Sequence, residues 1–223
     1  MHDMPIYKYL TEEAHAQALI QKGEMMFKPL SSFRILEDGG NRGDPHDGAL
    51  NHGQPGGLQA FRENGEPFVL DQNFHAAARG NEIFVYCASN HLSDELAEKF
   101  GRFCVEINDP DILVRRLRLR AQPQSKIDYE QVIYGPVDYR PCGRPPGGDW
   151  ALPERLVLTK PEHYGWQDEY RIAIGLRNAL DVHAVDLHLL AEGAAPPLPV
   201  GPVPAPIFIR IGALEEVVTL HRF

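Results

Sequence analysis

The residues with the clearest catalytic potential stand at the start of an apolar run near residue 170. Gln167, Glu169 and Arg171 occupy one set of alternate positions, and Tyr170, Ile172 and Ile174 fill the other set with bulky side chains. Because alternate side chains of an extended chain point to opposite faces, an amide, a carboxylate and a guanidinium are expected to gather at the mouth of a strand. The alternative is a solvated strand face on which Glu169 and Arg171 are an ordinary same-face pair.

The elements before this run alternate between strand and helix patterns. Aromatic and β-branched residues predict the strands, and helices are expected after Thr11, Ser93 and Asp109, whose side chains suit an N-cap. Gly23 suits the end of the first helix. The predicted elements lie at 6–9 (strand), 11–22 (helix), 25–27 (strand), 82–87 (strand), 93–100 (helix), 103–107 (strand) and 109–121 (helix).

Glycine and proline divide the remainder of the chain. Residues 37–57 carry seven glycines and are predicted to form a long mobile loop, and residues 141–149 form a second breaker-rich loop. Asn64-Gly65 predicts a β-hairpin with a type I′ turn. Further strands are expected at 132–134, 156–158, 182–189 and 207–211, and the proline-rich residues 194–206 are interpreted as a stiff connector.

This order of elements predicts one α+β domain over residues 1–223, built on a mixed or antiparallel sheet with short peripheral helices. The chain has 43% apolar and 24% charged residues and a formal charge of −9, which fits a globular protein and opposes unspecific binding to nucleic acid or anionic lipid. It shows no signal-peptide pattern and no apolar run near the roughly 20 residues that span a bilayer. A reduced, cytoplasmic protein that does not contact the membrane is therefore expected.

Two sets of short motifs carry a resemblance to known proteins. The Gln167-x-Glu169 pair at a loop-to-strand transition resembles the signature of the ADP-ribosyltransferase superfamily. The Tyr7-Lys8-Tyr9-Leu10 strand, the FKPLSSFR segment and the K-(x)n-W-x-x-E-Y-R run ending at Arg171 also resemble a widespread bacterial and phage family of uncharacterised proteins. The resemblance implies a split β-sheet with NAD bound between its two parts.

The resemblance also implies roles for individual residues. Glu169 matches the glutamate that contacts the nicotinamide ribose, where a fixed anion stabilises the oxocarbenium charge of the transition state. Gln167 matches the residue that orients the acceptor, and glutamine there points away from arginine as the modified group. Tyr7 or Tyr9 would lie beside NAD, although packing in a core strand explains each of them equally well.

The remaining candidates belong to two polar segments. Ser32 and Phe33 match a position that lines the nicotinamide pocket, and Arg34 is a candidate partner of the pyrophosphate, or else of Glu37 or Asp38. The candidates for contact with the acceptor are Arg42 and Asp44, with His46 and Asp47 beside them. The alternative for this second group is a solvated loop.

Other chemistry finds little support in the sequence. His183 and His188 are five residues apart and have no acidic cluster with ligand spacing, so no metal site is predicted. Phosphate-loop and nucleophile-elbow motifs are missing, and the cysteines lack cues for thiolate activation. The arginines at 115, 116, 118 and 120 suggest either guidance of a nucleic-acid acceptor or a solvated helix face.

The leading hypothesis is an NAD-dependent ADP-ribosyltransferase acting on a protein or nucleic acid, with Glu169 as the essential carboxylate. A role as a toxin or in phage defence is implied by the resemblance alone. The alternatives are an NAD glycohydrolase, in which water replaces the acceptor, and a non-enzymatic binding module that contacts its partner through the glycine-rich loop or the arginine-rich helix.

Overall fold

A computed structural model of the protein describes residues 4–35, 43–52, 58–70, 72–120, 125–140, 151–191 and 202–223. The strands are β1 Ile6–Leu10, β2 Glu24–Pro29, β3 Ala49–His52, β4 Leu58–Phe61, β5 Pro67–Leu70, β6 Gln72–Ala77, β7 Ile83–Ser89, β8 Phe103–Ile107, β9 Ile127–Pro136, β10 Asp138–Arg140, β11 Thr159–Pro161, β12 Glu169–Leu176, β13 Asp186–Ala191, β14 Ile207–Arg210 and β15 Val218–Arg222. The α-helices are α1 Glu13–Lys22, α2 Asp94–Phe100, α3 Asp111–Arg118 and α4 Pro153–Val157, and short 3₁₀ segments occupy Leu30–Arg34, Glu162–Gln167 and Val182–Ala184.

Strand pairing is mostly antiparallel and the helices are few and short, so the coarse fold prediction is confirmed. The main sheet contains eight strands with β7 at its centre. Two other antiparallel groups, β13-β6-β3 and β4-β5, lie outside it, and β10 pairs with β11 in parallel.

The main sheet forks at β7. Along one edge, β12 pairs with the full length of β7 and β9 lies beyond β12. On the other edge, β2 pairs with β7 at Val85, whereas β1 pairs with it at Ser89. The backbone between these points has no strand partner on that edge among the described residues, and the Lys8 Nζ donates to the Cys87 carbonyl there at 2.6 Å. One branch continues as β1-β8-β15 and the other as β2-β14, so a cleft opens between them.

Both faces of the central strands are buried. Tyr170, Ile172 and Ile174 of β12 pack into the larger core together with α1 and α3. On the opposite face, Ala173 packs into a second core that includes Val157 of α4. The predicted alternation along β12 is therefore present, but its polar face is covered by this second core and is not solvated.

Several local predictions differ from the structure. Residues 182–184, predicted as the start of a strand, form a 3₁₀ segment, and the N-cap of α3 is Pro110 rather than Asp109. Leu156 and Val157 lie in α4, a short helix that Pro153 begins, so the strand predicted at 156–158 is wrong. The hairpin at Asn64-Gly65 forms between β4 and β5, but only Gly65 has a positive φ, of 82°, so the turn is not type I′. Residues 49–52, which were predicted as loop, form β3 and pair with β6.

The first helix also begins later than predicted. The N-cap is Glu12 rather than Thr11, and Gly23 ends the helix in the left-handed conformation as expected. Helix α2 follows the prediction, with the Ser93 side chain accepting from the Leu96 N–H. Residues 36–42, 53–57, 141–150 and 192–201 contain the remaining parts of the predicted loops and of the proline-rich connector, and they lie outside the described residues.

Candidate functional site

The fork in the sheet encloses a cavity of about 270 Å³. Its walls come from both branches and from β7, and its floor includes residues that surround the start of β12. Five of the residues singled out in the sequence line it: Tyr7, Tyr9, Phe33, Gln167 and Glu169. These side chains come from two parts of the chain, residues 7–33 and 167–169, which are more than 130 residues apart and which the sequence had linked only through the resemblance.

The other predicted residues lie elsewhere. Ser32 is half-buried, and its hydroxyl has no hydrogen-bond partner among the described residues. Arg34 donates through Nε to the Asp47 carbonyl at 2.7 Å and does not line the cavity. Asp44 is buried in a turn, where its Oδ1 accepts from the His46 N–H at 2.9 Å. Arg42 lies outside the described residues.

The backbone before β12 is shaped to deliver Glu169 to the cavity floor. Asp168 adopts a left-handed conformation with φ 41°, which ends the 3₁₀ segment immediately before the strand begins. Ser89 and Asn90 hold this turn by donating to the Asp168 carbonyl at 3.2 and 3.0 Å. The Tyr139 hydroxyl accepts from the Glu169 N–H at 2.8 Å. These contacts hold the start of β12 from the end of β7 and from β10.

Two cations hold one oxygen of the Glu169 carboxylate. Its Oε2 lies 3.0 Å from Lys160 Nζ and 3.1 Å from Arg171 Nη2. The printed contacts of both cations are with Oε2, the Cys87 thiol hydrogen-bonds to the same carboxylate, and Glu169 lines the cavity. Lys160 Nζ also donates to Gln167 Oε1 at 2.9 Å, so one buried ammonium orients both residues of the Gln-x-Glu pair.

A second carboxylate completes the charge balance below the cavity. Asp47 Oδ1 and Oδ2 accept from Arg171 Nη1 and Nη2 at 2.7 and 2.8 Å, and both side chains are fully buried. The buried charge network, defined as Asp47, Arg171, Glu169 and Lys160, contains two anions and two cations. Because isolated buried charges are very costly, this pairing is what allows Glu169 to remain charged out of water.

The pKa values of these groups follow from the pairing. Burial favours the protonated form of Glu169, but Arg171 and Lys160 outweigh it and lower its pKa to about 2. Burial also opposes the charge of Lys160, yet Glu169 raises the pKa of this ammonium above its ordinary value. At neutral pH the cavity floor therefore carries an ionised carboxylate.

The Cys87 thiol lies beside this carboxylate on β7. Burial, followed by the charge of Glu169, raises the pKa of Cys87 to about 12. The protonated thiol is a poor nucleophile, because the thiolate is the reactive form. Covalent catalysis by Cys87 is therefore disfavoured, in agreement with the lack of activating cues in the sequence.

The cavity walls combine aromatic rings with lysines. Tyr7, Tyr9, Phe33 and Phe100 supply the rings, and Phe100 stacks on Trp166 at a ring separation of 5.7 Å. Burial raises the pKa of Tyr9 to about 12, and its hydroxyl accepts from the Ser93 N–H at 2.7 Å. Phenol deprotonation is therefore not available near neutral pH, and the rings act as packing surfaces.

Two further lysines enter the cavity from the diverging strands, Lys8 from β1 and Lys28 from β2. Lys28 is half-buried and has no hydrogen-bond or ion-pair partner among the described residues. Because the buried charge network is internally balanced, Lys28 adds a positive charge to the cavity in a protein of net charge −9. Such a cavity favours an anionic ligand.

Sequence reasoning missed the structural roles of Lys160 and Asp47. Lys160 opens the K-(x)n-W-x-x-E-Y-R run and Asp47 stands in the glycine-rich segment, so both residues were noted without being assigned to Glu169 or Arg171. A lysine directly after an apolar segment was a usable signal for Lys160, because lysine is rarely buried unless it is paired. Only the fold brings Asp47 next to Arg171, which is 124 residues later in the chain.

The arginine-rich helix α3 is largely committed to contacts within the protein. Arg115 pairs with Asp109 at 2.7 Å, and Arg116 and Arg120 donate to backbone carbonyls of residues 210–213. Arg118 is exposed and has no such partner in the described part of the chain. The helix therefore presents less unpaired positive charge than its sequence suggests.

In the described ranges, no three His, Cys, Asp or Glu side chains come together in a way that would hold a metal ion. No helix within them has the length and apolar character needed to cross a bilayer. No protein-family model, curated protein or solved structure matches this chain.

Proposed function

We propose that this chain is an NAD-dependent ADP-ribosyltransferase whose essential carboxylate is Glu169. The observation that carries the proposal is a buried glutamate on the floor of a cleft in a forked sheet, held through one oxygen by two cations. The forked antiparallel sheet agrees with the split sheet that the resemblance implies. The finer assignment to an ADP-ribosyltransferase-like fold belongs to this proposal.

The chemistry requires an anion at this position. As the bond between the ribose C1′ and the nicotinamide nitrogen breaks, its electron pair leaves with nicotinamide and positive charge develops on the ribose. A fixed carboxylate stabilises that charge because it is already oriented and desolvated. The acceptor nucleophile then forms the new bond to C1′ and releases its proton. Glu169, which lines the cavity, supplies the carboxylate that would face the ribose.

The walls of the cavity suit the other parts of a dinucleotide. Phe33 and the tyrosines of β1 offer flat apolar surfaces on which aromatic rings stack. Lys8 and Lys28 offer positive charge to a diphosphate, and Gln167 stands beside Glu169 where the resemblance assigns contact with the acceptor. A role in toxicity or phage defence remains an implication of the resemblance.

The test compares the wild-type protein with Glu169→Gln and a matched control, Glu24→Gln. Glu24 forms a 2.7 Å ion pair with Arg210 outside the cavity, so its replacement also removes a carboxylate from an arginine. Each protein is incubated with labelled NAD and a cell lysate, with and without nuclease, and both nicotinamide release and label transfer are measured. Circular dichroism checks that each variant is folded.

Transfer that requires Glu169 and is unaffected in Glu24→Gln supports the proposal, and its sensitivity to nuclease identifies the acceptor class. Glu169-dependent nicotinamide release without label transfer would instead assign an NAD glycohydrolase. No turnover in any lysate would overturn the enzymatic assignment in favour of the binding module. In that case nucleic-acid binding that weakens steeply with salt and survives Glu169→Gln would identify the partner.

A further inference from the structure

We propose that Asp47 is a positioning residue for Glu169, acting through Arg171. This inference rests on the proposed function for its catalytic meaning, because it concerns the carboxylate expected to contact the ribose. Asp47 is fully buried and does not line the cavity, so it has no route to a ligand except through its neighbours. Its role is to determine which carboxylate oxygen of Glu169 accepts a hydrogen bond from Arg171.

The hydrogen bonds of the guanidinium show how this works. Nη1 donates to Asp47 Oδ1 and to the Val157 carbonyl, both at 2.7 Å. Nη2 donates to Asp47 Oδ2 at 2.8 Å and to Glu169 Oε2 at 3.1 Å. All four Nη hydrogens are therefore used, and three of them are directed away from Glu169. The guanidinium donates one hydrogen bond to Glu169, and its buried Nε has no hydrogen-bond partner among the described residues.

Removal of the Asp47 charge would change this distribution. One hydrogen on each Nη atom would lose its acceptor, and Glu169 is the other carboxylate already in contact with the guanidinium. Arginine and carboxylate groups favour a bidentate arrangement with two parallel hydrogen bonds. Arg171 is then expected to engage both oxygens of Glu169, which changes the orientation of this carboxylate towards the cavity.

Asp47 can perform this role because its turn is fixed on several sides. The Asp44 N–H donates to the Phe33 carbonyl at 2.9 Å, and Arg34 holds the Asp47 carbonyl. Gly48 follows with φ +73°, and a Cβ there would lie 2.3 Å from Leu30 Cδ2. The glycine lets the chain pass close to Leu30 while Asp47 points inward. Residues 43–48 thus form a support beneath the site.

The test uses Asp47→Asn, which retains the shape of the side chain, with Glu24→Gln as the control. The protein is labelled with ¹³C at its glutamate carboxyls, and the Glu169 signal is identified by its loss in Glu169→Gln. Asp47→Asn should shift the Glu169 signal, whereas Glu24→Gln should leave it unchanged. In the NAD assay, Asp47→Asn should lower kcat about a hundredfold, as expected for a misplaced catalytic group, and leave KM nearly unchanged.

The NMR result is independent of turnover. A Glu169 signal at the same position in Asp47→Asn and wild type would overturn the positioning role, whatever the NAD assay gives. A shifted signal in a protein that does not consume NAD would support the positioning and overturn the proposed function. If Asp47→Asn fails to fold, the wild-type protein still provides a test: Arg171 should show separate, slowly exchanging Nη protons, and averaged signals would contradict the anchoring by Asp47.

Discussion

The buried charge network and helix α3 use the same residue types with opposite consequences. In the network, Arg171 is fully buried and contacts two carboxylates and a carbonyl. On α3, Arg115 keeps 63% of its side chain exposed while it contacts one carboxylate, Asp109, that is 44% exposed. The sequence drew equal attention to both regions. The difference shows that a charged residue points to a functional site only where it is buried, because a charge removed from water must be paired with other groups of the protein.

Replacing Arg171, which contacts both carboxylates of the buried charge network, should give the largest loss of stability in this comparison. Arg171→Met leaves Asp47 and Glu169 buried beside a neutral side chain, and breaking a buried pair in this way costs about 3–5 kcal/mol. We expect this loss in the free energy of unfolding measured by urea titration. Arg115→Met on α3 is the matched control. A loss below about 1 kcal/mol for Arg171→Met would remove the distinction between the two regions.

The pH dependence of stability tests whether Glu169 is ionised in the network. Its pKa is about 2 in the folded protein against an ordinary value of 4.5, so the folded state favours the deprotonated form. The stability linked to this shift is present above pH 4.5 and is lost as the pH falls towards 2. The shift corresponds to roughly 3 kcal/mol in total.

The measurement is the free energy of unfolding of wild type and Glu169→Gln between pH 6 and the lowest pH at which both proteins fold. The wild-type curve should fall more steeply below pH 4.5, because its unfolded state takes up a proton that the folded state does not. Parallel curves for the two proteins would show that Glu169 does not have the lowered pKa.

Lys28 provides an intermediate case, because it is half-buried in the cavity and has no protein partner in the described part of the chain. Lys28→Met should raise KM for NAD about tenfold, equivalent to about 1.4 kcal/mol of binding, without lowering stability. Arg118→Met on α3 is the control, since Arg118 is exposed and also unpartnered. Equal KM values for the two variants would show that the cavity charge does not contact the ligand.

The smallest effect is expected on α3 itself. Arg115→Ala should reduce the free energy of unfolding by at most about 1 kcal/mol, because exposed ion pairs are weak and screened by salt. The reduction should disappear in 1 M NaCl, whereas the loss caused by Arg171→Met should persist there. A large, salt-resistant loss at Arg115 would show that helix α3 is not an ordinary solvated face.

Much of the local structure was available from the sequence. The runs around residues 6–10, 83–89 and 103–107 are dense in β-favouring side chains, and each forms a strand. Ser93 and Gly23 delimit helices because their own conformational preferences require no distant partner. Leu156 and Val157 were misassigned because two buried apolar residues fit one turn of helix as well as a strand, and Pro153 favours the helix.

In the candidate site, too, some features follow from local sequence and others depend on the fold. The alternation of Glu169 and Arg171 against the apolar residues of β12 was determined by the two-residue period of a strand, which is a local property. The sequence left open whether the polar face meets water or a second core, because burial depends on elements far away in the chain. The glycine-rich segment was similarly open, since its composition is typical of a loop whether or not Asp47 points into the interior.

The sequence by itself determined the coarse α+β class, most strand and helix positions, and the presence of a carboxylate and an amide where β12 begins. The tertiary structure alone decided that the sheet forks at β7, that Lys160 and Arg171 share one oxygen of Glu169, and that Asp47 holds Arg171 in place. The physical reason is the distance along the chain over which each kind of interaction acts. Backbone preferences act over a few residues, whereas desolvated charges are paired with groups that only the folded chain brings together.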